Sequence, residues 1–344
     1  MRVGIVGSTG YGGVEIYRLL SKHKYVEECI IYSSSESGKL YEESYPHLTG
    51  SHTHLKSIDV DQIENDVDVL FLATPPGVST KLSPQFIERS VKVIDLSGDL
   101  RLKSSHTYKN WYKREAAPAD LLNEAVYGLC EVNHDQIQSA KFIANPGCFP
   151  TATLLGLAPL TKAKAYKEDS IIVDAKTGVS GAGRKASLAT HFGEINENLK
   201  IYKVNEHQHI PEIEQSLTEW NQDVAPITFS THLIPMTRGI MSTIYVTLKK
   251  ESQINSLKEM YEAYYEKSPF VRIRPIGSYP ATKEVFGSNY CDIGLAYDDR
   301  TGRVTIVSVI DNLLKGAAGQ AVQNFNIQNG YEEITGLDSY PVYP

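Results

Sequence analysis

The apolar residues change rhythm near the middle of the chain. Up to about residue 145 they come in short, almost unbroken runs: RVGIVG from Arg2, CIIYSS from Cys29, VDVLFLAT from Val67, VKVIDLSG from Val91 and KFIANPG from Lys141. Runs of this length, punctuated by glycine and serine, read as strands buried on both faces. Amphipathic stretches lie between them, with helices predicted over residues 10–20 and over SPQFIERS at 83–90. Strands alternating with helices predict a parallel sheet covered on both sides. Beyond residue 147 the runs lengthen. SIIVDAKTGVS, PITFSTHLIPM, GIMSTIYVTLKK and GRVTIVSVI alternate apolar with polar residues, as the strands of a half-covered antiparallel sheet do. YDDRTGR at 297–303 predicts a hairpin turn, and PEIEQSLTEW and INSLKEMYEAYYEK predict helices. A last helix is expected over residues 313–325. The two rhythms predict an α/β domain followed by an α+β domain, and 344 residues suffice for two cores.

Composition narrows the class. The net charge is −7 and no clustered basic surface is apparent, which argues against nucleic acid as a partner. No apolar run approaches the ~18 residues of a membrane span. The opening MRVGIVG is a strand and a glycine turn rather than a secretory leader, so the cytoplasm is the expected location. The four cysteines (Cys29, Cys130, Cys148 and Cys291) are widely and irregularly spaced, so free thiols are expected.

Gly7, Gly10 and Gly13 stand between the first strand and the first helix at G-x-x-G-x-x-G spacing, with Ser8, Thr9 and Tyr11 among them. Glycines permit a tight turn and let backbone N–H groups approach a pyrophosphate, which the positive end of the helix attracts. A dinucleotide is the expected ligand, although a plain β–α turn uses glycines too. The second strand ends on Ser33, Ser34 and Ser35, where NAD sites usually place an acid for the ribose hydroxyls. Serines can bond a 2′-phosphate without repelling it, and Lys39 follows; this favours NADP, with Glu36 the contrary sign.

Asn145-Pro146-Gly147-Cys148-Phe149-Pro150-Thr151 joins a strand to an apolar helix. Pro150 suits a first helical turn, so Cys148 falls at the helix N-terminus, where the dipole favours thiolate. Most free cysteines are small buried hydrophobes, and Cys29, Cys130 and Cys291 fit that description better. A thiolate working beside a nicotinamide points to thioester chemistry on an activated acyl group. In Glu206-His207-Gln208-His209-Ile210-Pro211-Glu212, Pro211 marks a helix start and both histidines precede it. There the dipole keeps imidazole neutral, and an extended segment would put both rings on one face. Spacing does not separate them; His207 is taken as the acid/base. A metal would need a third ligand, which only Glu212 offers, and none is expected. Arg101 follows a parallel strand at its ligand-binding end, and Arg238 sits between two strands; each is a candidate for a phosphate or carboxylate, or else a solvated arginine. The glycine-rich loop 177–184, with Ser180 and Gly181, is expected to close over a nicotinamide unless it is a flexible connector.

GSTGYGG, FLATPPGVS, DLSGDLRL, NPGCFPTA, TGVSGAGR, HQHIPEIEQ, HLIPMTRGI and NLLKGAAGQAVQN occur in that order from residue 7 to about 324. In this the chain resembles the N-acetyl-γ-glutamyl-phosphate reductases of arginine biosynthesis, in their short single-function form. One departure is Leu100, where an aromatic is expected before Arg101. The resemblance implies a Rossmann-type NADP domain over 1–147, rejoined by helix 313–330, and an α+β catalytic and oligomerisation domain of the glyceraldehyde-phosphate dehydrogenase type over 148–312. It implies NADPH as cofactor, an acyl phosphate substrate, and a homodimer or homotetramer. It implies Cys148 as nucleophile and a histidine of the HxHxxE segment as acid/base. Gly10, Tyr11 and Asn312 would lie near cofactor, and Arg101, His207 and Glu212, with His209 and Arg238, near substrate. A sister reductase of aminoadipyl or aspartyl phosphate, and a non-catalytic NADP-sensing regulator, are the competing readings.

Overall fold

A computed structural model describes residues 1–250 and 252–343. The chain divides into two compact units, one of Met1–Pro146 with Ala317–Leu337, the other of Gly147–Gly316 with the chain end from Asp338.

The first unit is built on β1 (Arg2–Val6), β2 (Glu28–Tyr32), β3 (Leu55–Lys56), β4 (Val69–Leu72), β5 (Lys92–Asp95), β6 (Val126–Tyr127) and β7 (Phe142–Ala144). Their order in the sheet is β3-β2-β1-β4-β5-β7-β6, and every pair is parallel. The unbroken apolar runs are explained by this burial: all four residues of β4 are inaccessible. Strand order reverses between β1 and β4, and the mouth of such a reversal, at the strands' carboxyl ends, is the ligand crevice of open α/β sheets. The helix expected at 83–90 is instead a short helix Ser79–Leu82 running into a 3₁₀ turn Ser83–Phe86. Pro84 lacks the N–H that a longer helix would need there. Helix Gly319–Gln328 is wholly buried in this unit despite its polar sequence. Its amides act as a comb. Gln320 and Asn324 donate to the Gly128 carbonyl, Asn326 to those of Glu333 and Thr335, and Gln328 to that of Ala140. The last helix therefore begins later than 313, because Leu314–Ala318 forms a wider π turn first.

The second unit carries β8 (Ile172–Thr177), β9 (Lys200–Tyr202), β10 (Thr228–Leu233), β11 (Ile240–Thr247), β12 (Val271–Ile273), β13 (Cys291–Asp298) and β14 (Arg303–Ile310), in the order β12-β13-β14-β11-β8-β10-β9. The sheet is mixed rather than antiparallel throughout: β8 pairs with β10, and β12 with β13, in parallel. Along β11 every second residue is buried, as the alternation predicts, and Cys148–Lys162 and Ile254–Tyr264 are among the helices of this unit. Residues 298–303 close the β13–β14 hairpin.

The turn after β1 is sterically closed to a side chain at Gly7 and at Gly13. Gly7 has φ +85°, and a Cβ there would lie 2.4 Å from the Ala73 carbonyl oxygen; one on Gly13 would lie 2.4 Å from that of Gly7. Gly7→Ala should lower the first unit's stability by about 1–3 kcal/mol, read as a thermal midpoint several degrees lower by circular dichroism. An unchanged midpoint would contradict the close approach.

Candidate active site

Cys148 opens helix Cys148–Lys162, with Gly147 as its N-cap and no side chain capping it. The turn is held from the neighbouring helix. Glu212, fully buried in the first turn of Ile210–Trp220, accepts a hydrogen bond from the Gly147 N–H at 2.8 Å. Glu212 thus fixes the backbone leading into Cys148 and is not among the residues that line the cavity around it. Gly316 approaches Cys148 so closely that a Cβ on it would meet Cys148 Cβ at 2.8 Å. The requirement for glycine at 316 is a feature the sequence did not signal, since it depends on a residue 168 positions away in the chain.

The histidine segment is a turn rather than an extended stretch, because His209 has φ −81° and ψ −13° at the helix entry. The turn still gathers both rings, with centroids 4.7 Å apart. His207 is buried among Phe149, Tyr202 and Phe229, all in edge-on arrangements. The His209 N–H donates to His207 Nδ1 at 3.1 Å, which leaves the proton of the neutral ring on Nε2. Burial, helped by the charge of Lys203, pushes the His207 pKa down to about 3. Burial, together with Cys148, pushes the Tyr202 phenol up. Cys148, His207, His209 and Gly181 share the lining of one cavity of about 300 Å³ with Tyr202, Lys200 and Lys203. The two lysines had no motif to announce them; β9 and the turn that follows it bring them here.

The loop after β8 is tied down. Gly178, Val179 and Ser180 donate backbone hydrogen bonds to Gly239, Met236 and Thr237. Asn312 staples the same loops, donating to Ser180 Oγ at 3.0 Å and accepting from the Gly239 N–H at 2.8 Å. Arg238 lies 3.8 Å from the buried carboxylate of Asp311 and does not line the cavity. Arg101 is buried in the first unit, its Nε donating to the Asn145 carbonyl and a terminal nitrogen to that of Leu96; the solvated reading does not apply. The remaining thiols are placed differently from Cys148: burial pushes Cys29 up to about 12, Cys130 bonds Asn324, and Cys291 bonds Ser308. No group of three potential metal ligands occurs among the described residues.

In the first unit the glycine turn suits a pyrophosphate. Gly10 caps helix Tyr11–Leu20 without a side-chain bond, and the buried Ser8 hydroxyl has no hydrogen-bond partner among the described residues. Tyr41 and Tyr45 donate to the carbonyls of Ser8 and Thr9, steadying the turn. The Ser33 hydroxyl oxygen accepts from the N–H groups of Ser35 and Glu36, which leaves its own proton to donate. Glu36 is engaged by the Ser44 hydroxyl at 2.6 Å, which weakens it as a sign against NADP.

Two family models match. One described as "Semialdehyde dehydrogenase, NAD binding domain" covers residues 2–140, and one described as "Semialdehyde dehydrogenase, dimerisation domain" covers 148–312. Solved structures share the fold. An aspartate semialdehyde dehydrogenase II of Vibrio cholerae, complexed with ASA, matches 95% of this chain and 97% of its own with a TM-score of 0.71 at 19% identity. An aspartate semialdehyde dehydrogenase with NADP from Candida albicans matches over 95% and 97%, with a TM-score of 0.69 at 17% identity. Fold and domain matches thus place the chain in the class with the two-domain architecture of semialdehyde dehydrogenases. Nearer relatives narrow it: proteins named N-acetyl-gamma-glutamyl-phosphate reductase from Bacillus subtilis and Bacillus anthracis are 61% and 56% identical over the full length of both chains. The chain belongs to the N-acetyl-γ-glutamyl-phosphate reductase family.

The His207 environment makes a spectroscopic prediction. Its ring proton shifts should stay flat from about pH 5 to 8 in an NMR titration. Since the folded ring stays neutral down to about 3, unfolding takes up a proton there below 6.5, so acidification through that window weakens the fold. A midpoint for His207 near 6.5 would contradict the buried, Nδ1-accepting arrangement.

Proposed function

We propose that the protein is an NADPH-dependent oxidoreductase of arginine biosynthesis that reduces N-acetyl-γ-glutamyl phosphate to N-acetylglutamate semialdehyde and phosphate. Family membership over the whole chain supports this reaction above its sister reductases. The observation that carries the mechanism is Cys148 at an uncapped helix N-terminus, in one cavity with a neutral His207. Cys148 Sγ attacks the acyl carbon, the C–O bond to phosphate breaks, and a thioester forms. The departing phosphate takes up the one proton that the overall reaction consumes. Bound NADPH supplies a hydride. The thiohemiacetal oxyanion that results is stabilised by hydrogen-bond donation, for which His207 Nε2–H is the candidate, and collapses to aldehyde and Cys148 thiolate. In this reading His207 acts as a neutral donor rather than by collecting the thiol proton, because Nδ1 is already occupied by the His209 N–H. Glu212 positions the Gly147–Cys148 backbone, and His209 positions His207.

The first unit holds the cofactor, with Gly7, Ser8, Thr9, Gly10, Tyr11 and Gly13 at the pyrophosphate and Ser33 and Ser35 at the 2′-phosphate. Ser180, Gly181 and Asn312 form the loop assigned to the nicotinamide side, and Arg101 and Arg238 remain candidates for substrate anions. The dimerisation-domain match supports a homodimer or homotetramer. No described helix is long and apolar enough to cross a membrane, and the cytoplasm suits a biosynthetic enzyme.

Cys148→Ala should abolish reduction of N-acetyl-γ-glutamyl phosphate while NADPH affinity stays within about twofold, measured by turnover and by calorimetric titration. Residual thiol-independent turnover would contradict the thioester route. In the same titration NADPH should bind more tightly than NADH, and equal affinities would remove the role given to Ser33 and Ser35. His207→Gln should retain more turnover than His207→Ala, with the alanine loss in the range of about 10²–10³-fold expected for a missing oxyanion donor. Equal losses would return the histidine to proton transfer.

A further inference from the structure

The cavity around Cys148 has a charge balance that the assigned residues do not explain. Two of its lining side chains are cations, Lys200 at the start of β9 and Lys203 just beyond its end, and no carboxylate lines it. Neither lysine has an ion pair among the described residues. Their hydrogen bonds are to neutral groups. Lys200 Nζ donates to the Ala189 carbonyl at 3.2 Å, and Lys203 Nζ donates to Gln208 Oε1 at 2.6 Å. Gln208 stands between the two histidines, so the bond fixes the Lys203 ammonium beside the His207 turn. Lys203 itself sits at φ +46°, a conformation that a non-glycine residue adopts at some cost. The two cations line one cavity, Lys200 half-buried and Lys203 exposed, and like charges there repel each other, so a dianion bound near both relieves that repulsion.

Resting on the proposed reaction, we infer that Lys200 and Lys203 form the subsite for the phosphoryl group of the acyl phosphate and for the phosphate that leaves. The assignment to phosphoryl rather than to the substrate's carboxylate follows from charge and shape. A phosphate dianion is matched by two separate point charges, whereas a planar monoanionic carboxylate is matched by one guanidinium fork. The subsite's place also serves the chemistry. As Sγ bonds to the acyl carbon and the C–O bond breaks, negative charge collects on the phosphate oxygens, and ammonium groups at that point stabilise it. The coulombic influence of Lys203 on His207 is independent support that its charge reaches the site.

The reverse reaction separates the two anions, because aldehyde and inorganic phosphate are then varied independently with NADP⁺ as oxidant. Lys200→Met and Lys203→Met should each raise the KM for phosphate by about tenfold to a hundredfold, with the aldehyde KM within about twofold of wild type. Lys203→Arg, which keeps the charge, should recover most of the loss. A phosphate KM that stays unchanged, or an aldehyde KM that rises in its place, overturns the assignment. A second measurement does not depend on the substrate's identity. Millimolar inorganic phosphate should slow iodoacetamide alkylation of Cys148 in the wild-type protein and have no effect in the double variant Lys200→Met/Lys203→Met. Equal protection in both proteins overturns the lysine subsite. If wild type fails to turn over N-acetyl-γ-glutamyl phosphate but its phosphate protection needs the lysines, the substrate assignment fails and the subsite stands. Lys200→Gln and Lys203→Gln provide the same comparison should a methionine variant be unstable by thermal melt.

Discussion

A buried hydrogen bond, from the Gly147 amide to the carboxylate of Glu212, joins the two segments on which the chemistry depends. The donor immediately precedes the thiol, and the acceptor lies five residues after His207. A carboxylate with no exposure is costly unless its oxygens are satisfied, and the amide at the open end of a helix is a favourable partner for negative charge. Because the bond is internal to the second unit, helix Cys148–Lys162 and the entry to helix Ile210–Trp220 are set relative to each other before any ligand arrives. The aromatic packing of Phe149 against His207 and His209 continues the same registration one residue further along.

Around this fixed pair the protein suppresses charge in one group and preserves it in others. His207 is kept neutral by burial and has its proton directed to Nε2 by a backbone donor. Lys200 and Lys203 line a cavity that has no carboxylate among its lining residues. A neutral donor suits an oxyanion that must later collapse, since protonating it fully would slow departure of the thiolate. Paired ammonium groups suit an anion that must leave. The first unit uses backbone in place of charge: glycine packing, an uncapped helix start and tyrosine-braced carbonyls.

Much of this was legible in the sequence where the signal is local. Apolar runs located β1, β2, β4, β5 and β7 but not the two-residue strands β3 and β6, the glycine spacing located the turn after β1, and Pro150 and Pro211 located the two helix starts. The position of Cys148 followed from the same local rule. What escaped were features set by distant partners. Arg101 reads equally well as a ligand or a surface residue until its guanidinium is seen bonding two carbonyls in the interior. Glu212 looked like a substrate or metal ligand, yet its oxygen goes to a backbone amide 65 residues away in the chain. The histidine pair seemed to need an extended backbone to share a face, and a turn brought the rings together instead. Polar residues such as Gln320 and Asn324 gave no hint of burial, because the carbonyls that satisfy them come from the other end of the domain sequence.

The proposed reaction passes through a covalent acyl intermediate at Cys148. The most direct measurement is intact-protein mass spectrometry after mixing the enzyme with N-acetyl-γ-glutamyl phosphate in the absence of any nicotinamide cofactor, followed by peptide mapping. One N-acetylglutamyl group per chain is expected, carried on the peptide containing Cys148, hydroxylamine-labile as a thioester is, and discharged on addition of NADPH. An unmodified protein that nonetheless turns over with cofactor present, or an acyl group on Cys29, Cys130 or Cys291, would contradict it.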